Sequence, residues 1–213
     1  MKEKNVLQGI SRSGFRAWLE EHSENEMECW VEVRRGRPAD TGTLSYLDAV
    51  EEALCFGWID STVKQHDGVS LQRFTPRRRG SAWTELNKER ARRLIRLGRM
   101  TPQGKAVLPA MGRGSFRMDP EVMAEMKKTR CWTKFRSFPP LYQRIRSSNV
   151  AFYRKRSPEM YEKALRHLIE ETKKGRMFGE WNDYGRLLDS GQGNVNHPAA
   201  AMPPDEKENK DGI

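Results

Sequence analysis

Polar and apolar positions follow two different periods along this chain, and the switches between them mark its elements. Behind Ser13, a residue suited to cap a helix, Phe15, Trp18, Leu19 and His22 recur at i, i+3, i+4 and i+7, one face of a short helix. Over residues 28–34 the period drops to two, with Cys29, Val31 and Val33 on one side, as in a half-buried strand. A loop containing Gly and Pro occupies 35–42. Ser45-Tyr-Leu-Asp48 then has the form of a capping box and opens a helix that buries Leu47, Val50, Ala53 and Leu54, with Gly57 placed to end it. Residues 58–64 and 70–75 read as strands joined through His66-Asp-Gly68. Ser81 is placed to cap a third helix with Trp83, Leu86, Leu94 and Leu97 on its apolar side, and Thr101-Pro102 opens a shorter one.

The pattern changes character near Met111-Gly-Arg-Gly114 and becomes helical. Asp119-Pro120-Glu121 and Ser157-Pro158-Glu159 both show the cap, proline, acid order of a helix start. Tyr161, Ala164, Leu165, Leu168 and Ile169 make an apolar stripe, and Pro139-Pro140 begins a segment with Leu141, Ile145 and Phe152 facing one way. The expectation is an α+β protein: a small mixed or antiparallel sheet packed with helices over 1–112, then a helical C-terminal subdomain over 113–189. From Ser190 apolar residues give way to Gly, Asn, Pro, Ala and charges, which predicts a disordered tail over 190–213.

Composition narrows the function classes. Of 213 residues 36% are hydrophobic, six of them Trp, enough for a core, and no run approaches the roughly 18 apolar residues of a membrane helix. Residues 1–10 have neither an apolar run nor a small-residue cleavage site, so a cytoplasmic location is expected. Cys29, Cys55 and Cys131 are odd in number and far apart, which excludes a disulfide framework, and Cys55 reads as a core thiol. His22, His66, His167 and His197 share no metal-ligand spacing. No catalytic fingerprint, phosphate loop or dinucleotide motif is present, so no catalytic residue, cofactor or metal is predicted.

Charge adds the one positive signal. The net +10 is uneven: residues 1–72 carry 8 Lys/Arg against 13 Asp/Glu, whereas 73–105 carry 11 against 2. Such a local excess either attracts phosphates and nucleic acid or forms a solvated face.

Residues 44–60 (Leu-Ser-Tyr-Leu-Asp-Ala-Val-Glu-Glu-Ala-Leu-Cys-Phe-Gly-Trp-Ile-Asp), Leu71-Gln-Arg-Phe-Thr-Pro-Arg-Arg78, Ser81-Ala-Trp83, Asn87, Arg90 and Gly98-Arg-Met-Thr-Pro102 form an ordered series of blocks. The series resembles the bacterial YdeI/OmpD-associated, or bacteriocin-protection, family, most strongly over 13–111 and more weakly from Phe138-Pro-Pro-Leu-Tyr142 to Gly175. The resemblance implies a role in protection against bacteriocins or cationic peptides and in association with an outer-membrane porin. It brings no catalytic residues with it.

The best chemical candidate is Gln72-Arg-Phe-Thr-Pro-Arg-Arg-Arg-Gly-Ser81 leading into a helix, because arginine forks and free helix N–H groups both favour an anion. The expected site lies between the strand from Trp58 to Lys64, this segment and the following helix. Arg73, Arg77 and Arg78 would hold the anion, Trp58 and Trp83 would wall the pocket, and Asp60 would orient the arginines, with Lys64, Gln72, Thr75, Ser81, Asn87 and Arg90 around them. The alternative is that Arg73 and Arg77 pair internally with acids of the first third such as Asp60, Glu51 or Glu52. Partners expected are a small anionic ligand or a protein, with nonspecific nucleic-acid binding through 73–105, or an enzyme acting on a phosphorylated or carboxylated molecule, as alternatives.

Overall fold

Ser11, two residues before the expected cap, starts the first helix. In the computed structural model, which describes residues 5–39, 42–66, 68–112 and 114–188, its hydroxyl accepts from the Gly14 amide and opens α1 (Arg12–His22). Ser13 sits inside the first turn instead, its hydroxyl 3.0 Å from that of Ser11. The tail over 190–213 with His197, Asp67 of the turn and Arg113 at the expected boundary lie outside the described residues.

Four strands make one mixed sheet in the order β1-β2-β4-β3: β1 (Val6–Leu7), β2 (Cys29–Glu32), β3 (Trp58–His66) and β4 (Val69–Pro76). β1 runs parallel to β2, and the other pairs are antiparallel. Alternation places Cys29 and Val31 of β2 on the face that also carries Phe74 of β4, the register partner of Cys29. α1 and α2 (Tyr46–Cys55) cover this face with Phe15, Leu19, Val50, Ala53 and Leu54, and the Phe15 and Phe74 rings lie 5.5 Å apart. Ser45 caps α2 by accepting from the Asp48 amide, and Gly57 leaves the helix at φ +76°.

The third helix begins later than its sequence suggested. α3 (Glu85–Arg96) is capped by Thr84, whose hydroxyl accepts from Asn87, so Ser81 and Trp83 stand before the helix. Leu94 is fully buried, but Leu97, expected on the apolar side, is 54% exposed beyond the helix end. α4 (Pro102–Ala106) starts at Thr101, which donates from both amide and hydroxyl to the Cys55 carbonyl. Its Gly104 lies so close to the end of α2 that a Cβ would stand 2.1 Å from the Cys55 oxygen.

A second core follows. α5 (Pro120–Lys128), α6 (Trp132–Ser137), α7 (Pro140–Tyr153) and α8 (Pro158–Lys173) enclose Val122, Met126, Phe135, Tyr142, Ile145 and Leu168, joined by Trp181. Caps at Asp119 and Ser157 open α5 and α8 where the sequence placed them. On α7 the buried stripe is Tyr142, Ile145 and Val150, while Phe152 is 44% exposed. α3 bridges the two cores, with Leu94 in the first and Leu86 against the second. Arg144 of α7 pairs with Glu85 and Glu89 of α3.

The second face of α2 holds a charge cluster. Glu51 and Glu52 have no exposed surface, and a buried carboxylate is tolerated only when paired and hydrogen-bonded. Arg12 reaches Asp48, Glu51 (2.8 Å) and Glu52 (2.5 Å) with its three nitrogens. Arg16 (3.1 Å) and Arg99 (2.5 Å) also meet Glu52, Arg93 meets Glu51 at 2.8 Å, and Arg186 joins Asp48 at 2.7 Å to Glu51 at 3.1 Å. Burial alone would raise the Asp48 pKa. Hydrogen bonds from Arg186 and Ser45, with the charge of Arg12, hold it below the ordinary carboxylate value.

Replacing Glu52 with Ala removes the acceptor of three arginines at once. Urea denaturation should show a loss of about 1.5–3 kcal/mol, the range for charged hydrogen bonds lost by arginines that stay partly exposed. Gly104→Ala drives a methyl group into backbone and should cost about 3 kcal/mol, the upper end of overpacking, on the same measurement.

Candidate anion-binding site

The end of β4 carries the chain from the sheet into the segment before α3, and this path positions Arg77. Its amide donates to the Gly57 carbonyl at 2.8 Å, fixing the backbone at the point where α2 hands over to β3. The side chain turns back under the following segment, where Nη1 donates to Ser81 Oγ (3.1 Å) and the Ala82 carbonyl (3.0 Å). The guanidinium lies 3.9 Å from the Trp83 ring centroid, a cation–π stack. Arg77 is only 8% exposed, and its Nε is enclosed with no acceptor. Among the described residues no carboxylate comes within ion-pair distance of it. Burial pulls its pKa down, opposed only by the charge of Asp60.

Asp60 lies on β3 beside the register shift between Asp60 and Val63. Its Oδ2 accepts from the Tyr46 hydroxyl at 2.6 Å. Burial, then the Asp60 charge and this hydrogen bond, push the Tyr46 pKa up, so the phenol stays protonated as a donor at neutral pH. Arg35 stacks over the Tyr46 ring at 4.5 Å and donates to Gln72 at 2.8 Å. Behind them, Arg90 of α3 makes a bidentate pair with Asp183, both contacts 2.7 Å, and donates to Asn87 Oδ1 at 2.9 Å. Burial lowers the Arg90 pKa, but Asp183 outweighs it and the net shift is upward. Asp183 and Tyr184 have φ of +51° and +58°, uncommon for non-glycine residues, in the turn that presents Asp183 to Arg90.

The expected site is therefore assembled in part. Asp60, Arg77, Trp83, Asn87 and Arg90 come together, with Ser81 as a hydrogen-bond partner of Arg77. Arg78 is exposed next to Arg77, and Thr75 is half-buried two residues before it. Trp58, expected as a pocket wall, is 1% exposed. It faces α1 instead, donating to the Ser23 carbonyl and meeting Trp18 edge-on, because it shares the inner side of the sheet with Phe74. Arg73 is not a ligand arm: it follows the internal alternative, pairing with Glu28 through Nε at 2.8 Å and through Nη2. Gln72 is buried and occupied by Arg35 and the Thr62 carbonyl, and Lys64 lies over the Trp30 ring. Nor does a helix start supply the anion seat, since the first turn of α3 already holds Glu85, paired to Lys88.

Tyr46, Arg35 and Asp183 were missed. Tyr46 follows the capping serine, which was the only signal near it, and Asp183 is 93 residues from its partner. The three cysteines are buried, and burial pushes the Cys55 thiol up to about 11, which makes it a poor nucleophile. His22 packs flat on Trp18 with Nδ1 2.9 Å from the Trp18 carbonyl. Among the described residues no group of three or more His, Cys, Asp or Glu could hold a metal ion, and no helix is long and apolar enough to cross a membrane.

Residues 8–107 match the family described as a domain of unknown function (DUF8412). The match runs from the end of β1 through α4 and so covers the first core with Asp60, Arg77, Trp83 and Arg90. No curated protein matches the chain, and no solved structure does.

Asp183→Ala should leave the Arg90 fork buried with Asn87 as its remaining side-chain acceptor. The expected loss is about 3–5 kcal/mol of unfolding free energy, read by urea denaturation, with Asp183→Asn recovering part of it.

Proposed function

We propose that the protein is a non-enzymatic binding protein of the YdeI/OmpD-associated, stress-protection type, acting in the cytoplasm, and that it holds the phosphate or carboxylate group of a small anion at Arg77. The observation that carries this reading is the Arg77 guanidinium, buried on Trp83 with no carboxylate within ion-pair distance among the described residues. A buried cation without a counter-ion is costly, and an anionic ligand would supply the missing charge. Exposed Arg78 and Arg79, next in sequence, add an attracting field. The ordered blocks on which the resemblance to that family rests include Asp60, Arg77 and Trp83.

Nonspecific nucleic-acid binding draws less support. Much of the charge in 73–105 is paired inside the molecule: Arg73 with Glu28, Lys88 with Glu85, Arg90 with Asp183, Arg92 with Glu89, Arg93 with Glu51 and Arg99 with Glu52. An extended phosphate backbone needs a row of free cations.

Titration with inorganic phosphate, followed by calorimetry and by the nitrogen-15 amide resonances of Ser81 and Trp83, tests the site. Saturable binding should weaken at least about tenfold in Arg77→Met, which keeps the stem over Trp83, and stay within about twofold in Arg73→Ala. Unchanged affinity in Arg77→Met overturns the assignment.

A further inference from the structure

A second arginine, on α7, breaks the pairing rule. Arg146 lies on the inner side of α7, and its Nη2 donates to the Phe178 carbonyl at 2.5 Å. The guanidinium sits 4.6 Å from the Phe178 ring centroid and 5.8 Å from that of Tyr142, so it is packed among aromatic faces. Its Nε is enclosed without an acceptor. Other arginines nearby are satisfied: Arg144 by Glu85 and Glu89, and Arg154 by Asp119 and Glu121. Among the described residues no carboxylate lies within ion-pair distance of Arg146. Burial lowers its pKa, with only the more distant Tyr142 and Glu180 opposing.

This arginine lines a cavity of about 400 Å³ between α7, α8, the Phe178 segment and Thr84 at the start of α3. The volume falls in the range of small-molecule sites. Val150, Phe152, Ala164 and Phe178 give it apolar walls, and Asn149, Tyr153 and His167 bring polar edges. Phe152 is the large apolar side chain that the α7 pattern expected inside, yet it lies 44% exposed on this wall. A ligand lying against it would cover that surface. The turn after α7 adds cations, with Arg156 stacked 3.8 Å over Phe152. The cavity therefore combines an apolar body with a desolvated positive point, which is the complement of an amphipathic anion.

We propose that this cavity binds a small amphipathic carboxylate, its carboxylate on Arg146 and its aromatic or aliphatic body against Val150, Phe152 and Phe178. The site is separate from Arg77 and does not rest on the reading of that residue. Planar, two-pronged carboxylate geometry suits a guanidinium better than a point cation, and the aromatic surroundings exclude the water that would otherwise compete.

The test uses the full chain and two probes of equal shape, 3-phenylpropionate and its neutral amide, 3-phenylpropionamide. Binding is followed by calorimetry and by the nitrogen-15 resonances of the Asn149, Phe152 and His167 amides and the Arg146 Nε–H. The carboxylate should shift these signals saturably and bind at least about tenfold more tightly than the amide. Arg146→Met should remove that preference. Ala164→Leu, which fills the cavity from α8 and leaves Arg146 in place, should block both probes and guards against a variant that merely disturbs the Phe178 segment. Arg77→Met should leave the phenylpropionate-induced shifts of the Asn149, Phe152 and His167 amides unchanged, so the two sites can fail independently. Equal affinity for acid and amide, a preference that survives Arg146→Met, or no saturable shift with the acid overturns the proposal.

Discussion

Two glutamates with no exposed surface cannot remain charged unless cations are carried to them, and in this protein they come from four separate parts of the chain. Glu51 and Glu52 occupy one side of α2, the helix that lies on the sheet. Their partners come from α1 (Arg12, Arg16), from α3 (Arg93), from the turn after α3 (Arg99) and from Arg186. Apolar packing tells each helix which face to bury but tolerates sliding and rotation. The pairs do not tolerate it, because a shift of a few ångströms strands a charge in a low-dielectric site. The cluster thus sets the position of α1 and α3 on α2 more narrowly than the hydrophobic contacts could.

The same constraint changes the meaning of the basic composition. A stretch with 11 Lys/Arg and 2 Asp/Glu reads as a surface for phosphates. In the fold much of that charge answers acids elsewhere: Arg73 goes to the start of β2, Arg93 and Arg99 to α2, Arg90 to the turn at Asp183. What distinguishes a residue here is not being positive but being positive, buried and unanswered. Arg77 meets that description and half-buried Arg146 comes near it, and both stack on an aromatic ring. Local frustration of this kind is where binding sites are expected in an otherwise consistent structure.

Periodicity and capping residues were enough to place most of the fold. Ser45 and Gly57 bracket α2, and the cap, proline, acid triplets start α5 and α8. Where two capping residues stand close together the sequence is ambiguous by a few residues, and Ser13 against Ser11, and Ser81 against Thr84, show both outcomes settled by tertiary context. The α+β class was legible for the same reason. The candidate site was legible only as far as it is local: Arg77, Ser81 and Trp83 are neighbours in sequence, and their contact follows from a short segment folding back. Trp58 was misplaced as a wall because strand alternation names a face without saying which face is covered. Glu51 and Glu52 were legible as acids but not as buried ones, since their partners lie 36 to 135 residues away and pairing at such distances leaves no periodic trace.

The matched family region and the second core are tied by more than chain connectivity. Residues 8–107 contain Arg90, Asp48, Glu51, Glu85 and Glu89, yet the groups that complete their pairing come from beyond 140: Asp183, Arg186 and Arg144. Removing the C-terminal helices would leave Arg90 with no carboxylate partner, take one cation from Asp48 and Glu51, and uncover Leu86, which packs on the second core. Each loss leaves polar or charged groups short of partners in a place that water does not readily reach, and such costs add to the lost apolar contact. The two cores are therefore one cooperative unit joined through α3, in which the helical part completes the charge balance of the sheet part. Arg77 and Arg146 both lie near the start of α3, the element that joins the cores: Trp83 stacks on the first, and Thr84, the helix cap, lines the cavity of the second.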